Sequence, residues 1–460
     1  MRPINNQRAV TVSTPPKHLL HRLRHPDFPF APRRWPFFYG WVMLVGSVFA
    51  VMASIPGQTM GVGVFTDYLI ATWGLSRGQL SAAYMFGTLI SSFVLPYAGV
   101  MLDRYGSRVM AVLASLGLGA ALIVLAGADL IVPVPESLLG VVIATTVVTG
   151  VFLSLRFFGQ GCLAMVSRVV IGKWFERYRG RATAIAGTFG AFGFNSSPVL
   201  LKNLIDGVGW RQAALVLAAL VGGGMAVFAW IFYRDNPEEC GLEPDGDRAP
   251  AAGEAPRPSK FRVAHEFTRS EAARTLAFWI FAFALSSHGL MMTGLTFHIM
   301  AVGREMGLSA DEAVAIFWPM TFFSVTANLA GGWLGDRIKL KYLLLIMMTA
   351  QFFGTIGLAY ASEPLGRAFL TAGFGITGGL FVNLVTIVWP RYFGRAHLGA
   401  ISGLNMSVMV FTSALGPTFF SGGQYLLGSY HAVILLWIIV PVMIFTLGLW
   451  IRNPQERYAE

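Results

Sequence analysis

Charge is scarce in this sequence. Its 23 acidic and 34 basic residues amount to 12% of 460 positions, about half the charged share of a water-soluble protein. With 55% hydrophobic residues and a mean hydropathy of +0.61, the chain reads as membrane-embedded rather than as a set of soluble domains. Cysteine is almost missing. Cys162 in an apolar run and Cys240 in a polar one exclude a disulfide framework and read as a buried small residue and an incidental loop thiol. No metal-ligand spacing, nucleophile–base arrangement or Walker-type phosphate loop occurs, so neither enzyme chemistry, a metal or cofactor, nor ATP as a driving force is expected.

What the chain has in quantity is long apolar runs. Phe37–Met60, Leu80–Leu102, Val109–Ala128, Leu138–Ile171, Ala182–Leu204 and Ala213–Phe232 fill the first half. Leu276–Met300, Val314–Leu334, Tyr342–Ala361, Ala368–Trp389, Gly399–Ser421 and Ala432–Trp450 fill the second. At ~1.5 Å per residue each crosses ~30 Å of hydrocarbon as a helix. The expectation is an all-α integral membrane protein of twelve spans, six per half.

The net charge of +11 invites a nucleic-acid reading, but its distribution gives a different one. Placed on alternating sides, the loops and tails put 27 of the 34 Lys and Arg on one side and five on the other. This asymmetry marks the cytoplasmic side and sets both termini there. Residues 1–36 are basic and proline-containing, without an apolar segment at signal-peptide distance, and are expected to form a flexible tail. Residues 234–274 are polar and partly low in complexity, and are expected to form a mobile, solvated loop between a first half, 37–233, and a second, 275–451. A short tail, 452–460, follows.

The halves echo one another. Gly99-Val-Met-Leu-Asp103-Arg104-Tyr-Gly106-Ser-Arg108 follows the second span, and Gly332-Trp-Leu-Gly335-Asp336-Arg337 follows the eighth. Lys173-Trp-Phe175 leads through Arg179-Gly-Arg181 to Ala184-Ile-Ala-Gly187. Arg391-Tyr-Phe393 leads through Gly394-Arg395 to Ala400-Ile-Ser-Gly403. Two motifs at matching positions imply duplication, and a membrane protein of two matching halves suits solute movement between them.

Over residues 37–452 the chain resembles the major facilitator superfamily. Within it the chain is most similar to bacterial relatives of the monocarboxylate porters and oxalate–formate antiporters. That narrower likeness rests on Tyr39-Gly-Trp41, Gly63-Val-Phe65, Gly209-Trp-Arg211, the Arg234–Gly246 stretch and Arg274-Thr-Leu-Ala-Phe-Trp279. The resemblance implies two pseudo-symmetric six-helix halves, a functional monomer, and loop motifs that latch the halves in the outward-facing state. Asp103, Arg104, Arg108, Asp336 and Arg337 are the gating candidates. Small residues in the fifth span (Gly187, Gly190, Gly193) and the eleventh (Gly399, Gly403, Ser407) suit close approach of helices and a smooth rocking surface.

Polar groups at depth are the binding candidates. Arg156 sits near the centre of the fourth span, where a charge costs at least ~2.5–3.5 kcal/mol unless it faces a cavity or a partner. No Asp or Glu shares its depth, so its guanidinium is offered as a fork for a carboxylate, sulfonate or phosphate. Arg168, twelve residues further, reads as an interfacial residue that snorkels. Gln58, after the Pro56-Gly57 break, Gln160, one turn beyond Arg156, and Asn195, His288 and Asn383 complete the set. His288 could bind an anion or relay a proton.

The chain departs from its relatives at their coupling positions. The monocarboxylate porters are implied to use a basic residue in the first span and an Asp–Arg pair in the eighth. Here the first span offers Gln58 and Met60, and Phe317–Leu334 has no ionic residue. The oxalate–formate relatives place cations in the eighth and eleventh spans, and those are uncharged here. The expectation is a secondary transporter of the inner membrane for a small organic anion, a monoanion or zwitterion, with protons as the coupling ion and lipid as surroundings. An exporter of amphipathic compounds is the alternative, and a transporter-like sensor a remote one. Nucleic acid is not an expected partner.

Overall fold

A computed structural model describes residues 25–127, 130, 137–246 and 263–458; the remaining parts of the expected N-terminal tail and central loop lie outside the described residues. Among the described residues all regular structure is helical. The helices used below are α1 (Gly40–Ala53), α2 (Thr59–Trp73), α3 (Arg77–Ala126), α4 (Leu138–Trp174), α5 (Arg179–Val208) and α6 (Trp210–Phe232). In the second half come α7 (Leu276–Glu305), α8 (Phe317–Gly335), α9 (Leu340–Ala359), α10 (Pro364–Phe393), α11 (Leu398–Leu427) and α12 (Tyr430–Trp437, continued by Ile439–Leu449).

These helices are consistent with the twelve expected crossings. α1 and α2 together form the first, interrupted by a 3-10 turn at Ile55–Gly57. The helix therefore runs well beyond Met60, and the Pro56-Gly57 break falls inside the span rather than near its end. α3, at 50 residues, supplies two crossings because Gly106 departs from helical geometry (φ 84°, ψ 165°), a conformation a Cβ would disfavour. The turn between the first and second crossings is closed by Gly74 in the left-handed region and by a capping box of Ser76 with Gln79.

One face gathers the loop motifs. Residues 25–36, 103–108, 173–181, 233–246, 263–274, 391–400 and 453–458 are linked there by hydrogen bonds, and we call it the basic face. Both ends of the described chain lie on it. The described parts of the polar stretches, 25–36, 234–246 and 263–274, are packed here, while the low-complexity residues on which the expected mobility rested lie outside the described residues. Arg108 donates to the carbonyls of Phe28 (2.7 Å) and Tyr233 (2.8 Å), and Arg234 donates to Pro26 (2.6 Å). Phe30 lies against Trp35, Tyr39 and Phe232. Asp245 accepts from the backbone N–H groups of Glu176, Arg177 and Tyr178. Cys240 is buried, and burial pushes its thiol up to about 12, so it is not an incidental loop thiol. Low hydropathy registered the side chains of these stretches and missed the anchored backbone carbonyls.

The halves meet through α3 against α11 and α5 against α8. At both crossings glycine lets backbone touch backbone. Gly99 leaves no room for a Cβ beside Gly399 and Gly403, and Gly332 leaves none beside Gly180. Dispersion between closely approached backbones is the main attraction available in lipid.

Candidate functional site

The Arg156 neighbourhood is built by two helix irregularities that face each other. The 3-10 turn at Ile55–Gly57 interrupts the first span, and a π-helical segment at Arg156–Leu163 interrupts α4. Gly57 and Gly159 pack so closely that a Cβ on either would strike the other's backbone. The turn frees the Gly57 carbonyl from the helical ladder, and irregular backbone at this depth needs a new partner. Arg156 supplies it. Its Nη1 donates to Gly57 O and to Thr59 Oγ1, both at 3.3 Å.

Tyr84 completes the cluster from α3. Its hydroxyl donates to Thr59 Oγ1 at 2.9 Å, and its ring centroid lies 5.1 Å from the Arg156 guanidinium carbon, a cation–π distance. Arg156 is 2% exposed, and its Nε has no hydrogen-bond partner. Among the described residues no carboxylate lies within salt-bridge distance of it. The sequence pointed to Arg156 and to the break. Nothing in it paired either with Tyr84, one of 13 tyrosines.

The other candidates fall in separate places. Gln58 donates to Ser54 Oγ at 3.1 Å and belongs to the same break. Gln160 is half-buried on α4, its Oε1 without a partner. Asn195 lies on α5, and its side chain is outside the described residues. His288 is buried in α7 beside Phe381, with ring centroids 5.1 Å apart, and its Nδ1 lacks a partner. Asn383 is fully buried and spends its amide N–H groups on Asn328 O (2.8 Å), Asn328 Oδ1 and Gly379 O. Asn328 in turn donates to Ala184 O across the boundary between halves. The N–H groups of Asn383 thus support an inter-half contact, while its Oδ1 has no partner.

The gating candidates divide. Asp103 accepts from the N–H groups of Gly399 and Ala400, both at 2.7 Å, at the start of α11. Asp336 accepts from Gly180 (2.6 Å) and Arg181 (3.2 Å) at the start of α5. Each half thus caps a helix of the other, and each carboxylate meets the positive end of a helix dipole. Burial pushes the Asp336 carboxyl above its ordinary 3.8, against the pull of those N–H donors.

Arg104 is exposed beside Tyr105, and Arg337 donates to Trp333 O and covers its ring. Arg108 ties residues 25–28 and Tyr233 to the turn at Gly106, where Asp235 accepts its backbone N–H at 3.0 Å, so these bonds anchor the N-terminal residues to the turn.

Arg168 also departs from expectation. It is half-buried between the halves, and its Nη1 donates to Met406 Sδ of α11 at 3.4 Å. Hydropathy placed it near the interface. Only the rotation of α4 decided that it turns toward α11.

Two kinds of likeness to known proteins accompany this geometry. Residues 47–417 match the family model of the Major Facilitator Superfamily. The chain is 24% identical over 402 residues to monocarboxylate transporter 13 of Bos taurus, covering 86% of this chain and 85% of that protein. It is 24% identical over 299 residues to a probable sulfoacetate transporter of Cupriavidus necator, covering 61% of each. Among solved structures it resembles the human organic anion transporter MFSD10, with a TM-score of 0.58 at 15% identity over 89% of this chain and 99% of that one. It also resembles the fucose:proton symporter of E. coli, with a TM-score of 0.61 at 14% identity over 90% and 98%. At such identities the structures speak to fold alone.

Proposed function

The chain belongs to the major facilitator superfamily, a family of multi-pass membrane transporters, and we propose that it moves a small organic anion of the monocarboxylate kind by alternating access. The observation that carries this reading is Arg156: a guanidinium buried in the first half, with an unpartnered Nε and, among the described residues, no carboxylate beside it. The residue needs an anionic complement that none of the described residues supplies. The names of the relatives, monocarboxylate and sulfoacetate transporters, agree with a carboxylate or sulfonate.

In this reading Arg156, Gln58 and Gln160 hold the anionic group, with Asn195 of α5 and His288 of α7 assigned to the same solute path. Asp103 and Asp336 hold the basic face shut. With that face cytoplasmic in the inner membrane, the arrangement is outward-facing. Breaking the two caps and re-forming contacts on the opposite face releases the solute inward. Protons are the proposed coupling ion, with His288 as the relay.

The test is a thermal-shift titration of the purified protein with pyruvate, lactate and sulfoacetate, beside Arg156→Ala. A ligand at 100 times its Kd stabilises the folded form by ~2.7 kcal/mol. The expected result is stabilisation of the wild type and none of the variant, followed by proteoliposome uptake that an inward proton gradient accelerates. If only neutral amphiphiles stabilise both proteins alike, the chain is an exporter of such compounds and Arg156 is scaffold.

A further inference from the structure

α4 carries a second cation on the path the solute must take. Leu95 of α3, Ala164 of α4, and Met406 and Val410 of α11 form a small buried apolar cluster, with Phe157 packed against it. Leu95 and Ala164 belong to the first half, Met406 and Val410 to the second. The cluster is therefore a plug across the boundary, and parting it breaks no hydrogen bond within it. Arg168 follows Ala164 by one helical turn and so shares its face, on the basic side of the plug. It lies twelve residues beyond Arg156 in sequence.

The surroundings of Arg168 do not match its chemistry. A guanidinium offers five N–H donors, and a thioether is a weak acceptor. Among the described residues its one hydrogen bond goes to the Met406 sulfur, and none of their carboxylates lies within salt-bridge distance. Structural arginines of this protein look different. Arg395 meets Glu238 at 2.7 Å and the Lys173 carbonyl at 2.8 Å, and Arg108 binds several carbonyls. A half-buried guanidinium left this poorly matched is costly, and an apolar residue would pack there at no such cost.

We propose that Arg168 is a second anion subsite, which takes the carboxylate or sulfonate of the solute on the basic side of the plug. The inference rests on the reading of the solute as an organic anion. In the closed arrangement Met406 covers the fork. When α11 moves away with the second half, the sulfur leaves and the freed N–H groups face the opened space. The anion passes from the Arg156 level to Arg168 and then to water, so that the charge is not left without a partner between them.

The experiment is transport by the full chain in proteoliposomes of uniform orientation, using labelled pyruvate, lactate or sulfoacetate, whichever the wild type carries. KM is measured with the solute on the basic face and again on the opposite face. Arg168→Gln is expected to raise KM from the basic face by on the order of tenfold or more, the worth of a charge-assisted hydrogen bond, while the opposite-face KM stays within about twofold. That second value also reports a folded, working variant. Arg168→Lys keeps the charge and is expected to hold the basic-face KM near that of the wild type. Equal changes from both faces, no change from either, or a lysine variant as impaired as the glutamine one overturns the subsite alone. A wild type that carries none of the three anions overturns this inference together with the functional reading beneath it.

Discussion

Asp103 accepts the backbone N–H of Gly399 at 2.7 Å across the boundary between halves, and the carboxylate of Asp336 accepts that of Gly180 in the opposite sense at 2.6 Å. The pair is a duplicated device: an acid after the second span of one half caps a helix of the other, and each cap sits beside a glycine crossing. On the gating reading, closure of the basic face depends on the backbone donors at 399 and 180, where the absence of a Cβ lets the acids come close, and on the carboxyl oxygens that accept from them.

Removing one cap should open that face. Asp103→Ala deletes both acceptors at the start of α11, a loss of roughly 1.5–3 kcal/mol, equivalent to a shift toward the open form by on the order of tenfold. Spin labels at Tyr105→Cys and Ala396→Cys, both exposed positions on opposite halves, should report a longer distance population that the unsubstituted Asp103 background lacks. An unchanged distance distribution would count against the cap.

Closeness matters as much as charge. Gly99→Val places a branched side chain where the backbones of Gly399 and Gly403 leave no room, and overpacking of this kind costs typically ~1–3 kcal/mol. The same labels should show the longer distance, with uptake reduced and the protein still folded by circular dichroism. Normal closure with a valine at 99 would mean that the crossing is looser than the geometry shows.

The cap at Asp336 is expected to strengthen in acid. Burial holds its carboxyl above 3.8 in the closed form, while Gly180, Arg181 and Arg391 pull the other way. The closed form thus keeps the proton more tightly than an open form whose carboxyl meets water. The contribution to closure is fully present below pH 3.8 and is lost as the pH rises through the raised value. Label distances measured across that window should shorten as the pH falls, and Asp336→Ala should weaken the response, the likewise raised Asp103 carboxyl supplying the remainder. Lengthening in acid would reverse the sign and defeat the argument.

Arg108 should behave as an anchor. Its guanidinium is 4% exposed and donates to Tyr233, Phe28 and His25 carbonyls. Arg108→Ala leaves those acceptors with fewer partners at a cost of at least ~2 kcal/mol. A lowered Tm with unchanged label distances is the expected result, whereas a changed distance at unchanged Tm would return Arg108 to the gate.

Several features of the site were legible before any coordinates. Arg156 stood out because a charge in a long apolar run has few tolerable positions, and Pro56-Gly57 announced a helix break by its lack of one N–H and one Cβ. Asp103 and Asp336 were marked by their repetition. Hidden from sequence were Tyr84, which joins Arg156 from another helix, and Asp235 and Asp245, which looked like solvated loop acids and instead cap turns. Asn383 read as a cavity amide and proved to be committed to Asn328.

The sequence by itself determined the membrane class, the spans, the duplication and the one-sided basic charge, because each is a property of a segment and needs no neighbour. Tertiary structure alone decided which way each span is turned. A helix that is apolar on every side has no stripe to fix its rotation, so hydropathy could not say that Arg168 faces Met406, or that Arg108 faces the chain's own N-terminal carbonyls. Those assignments came from backbone crossings at glycine and from unsatisfied polar atoms seeking partners, which exist only once the helices are packed.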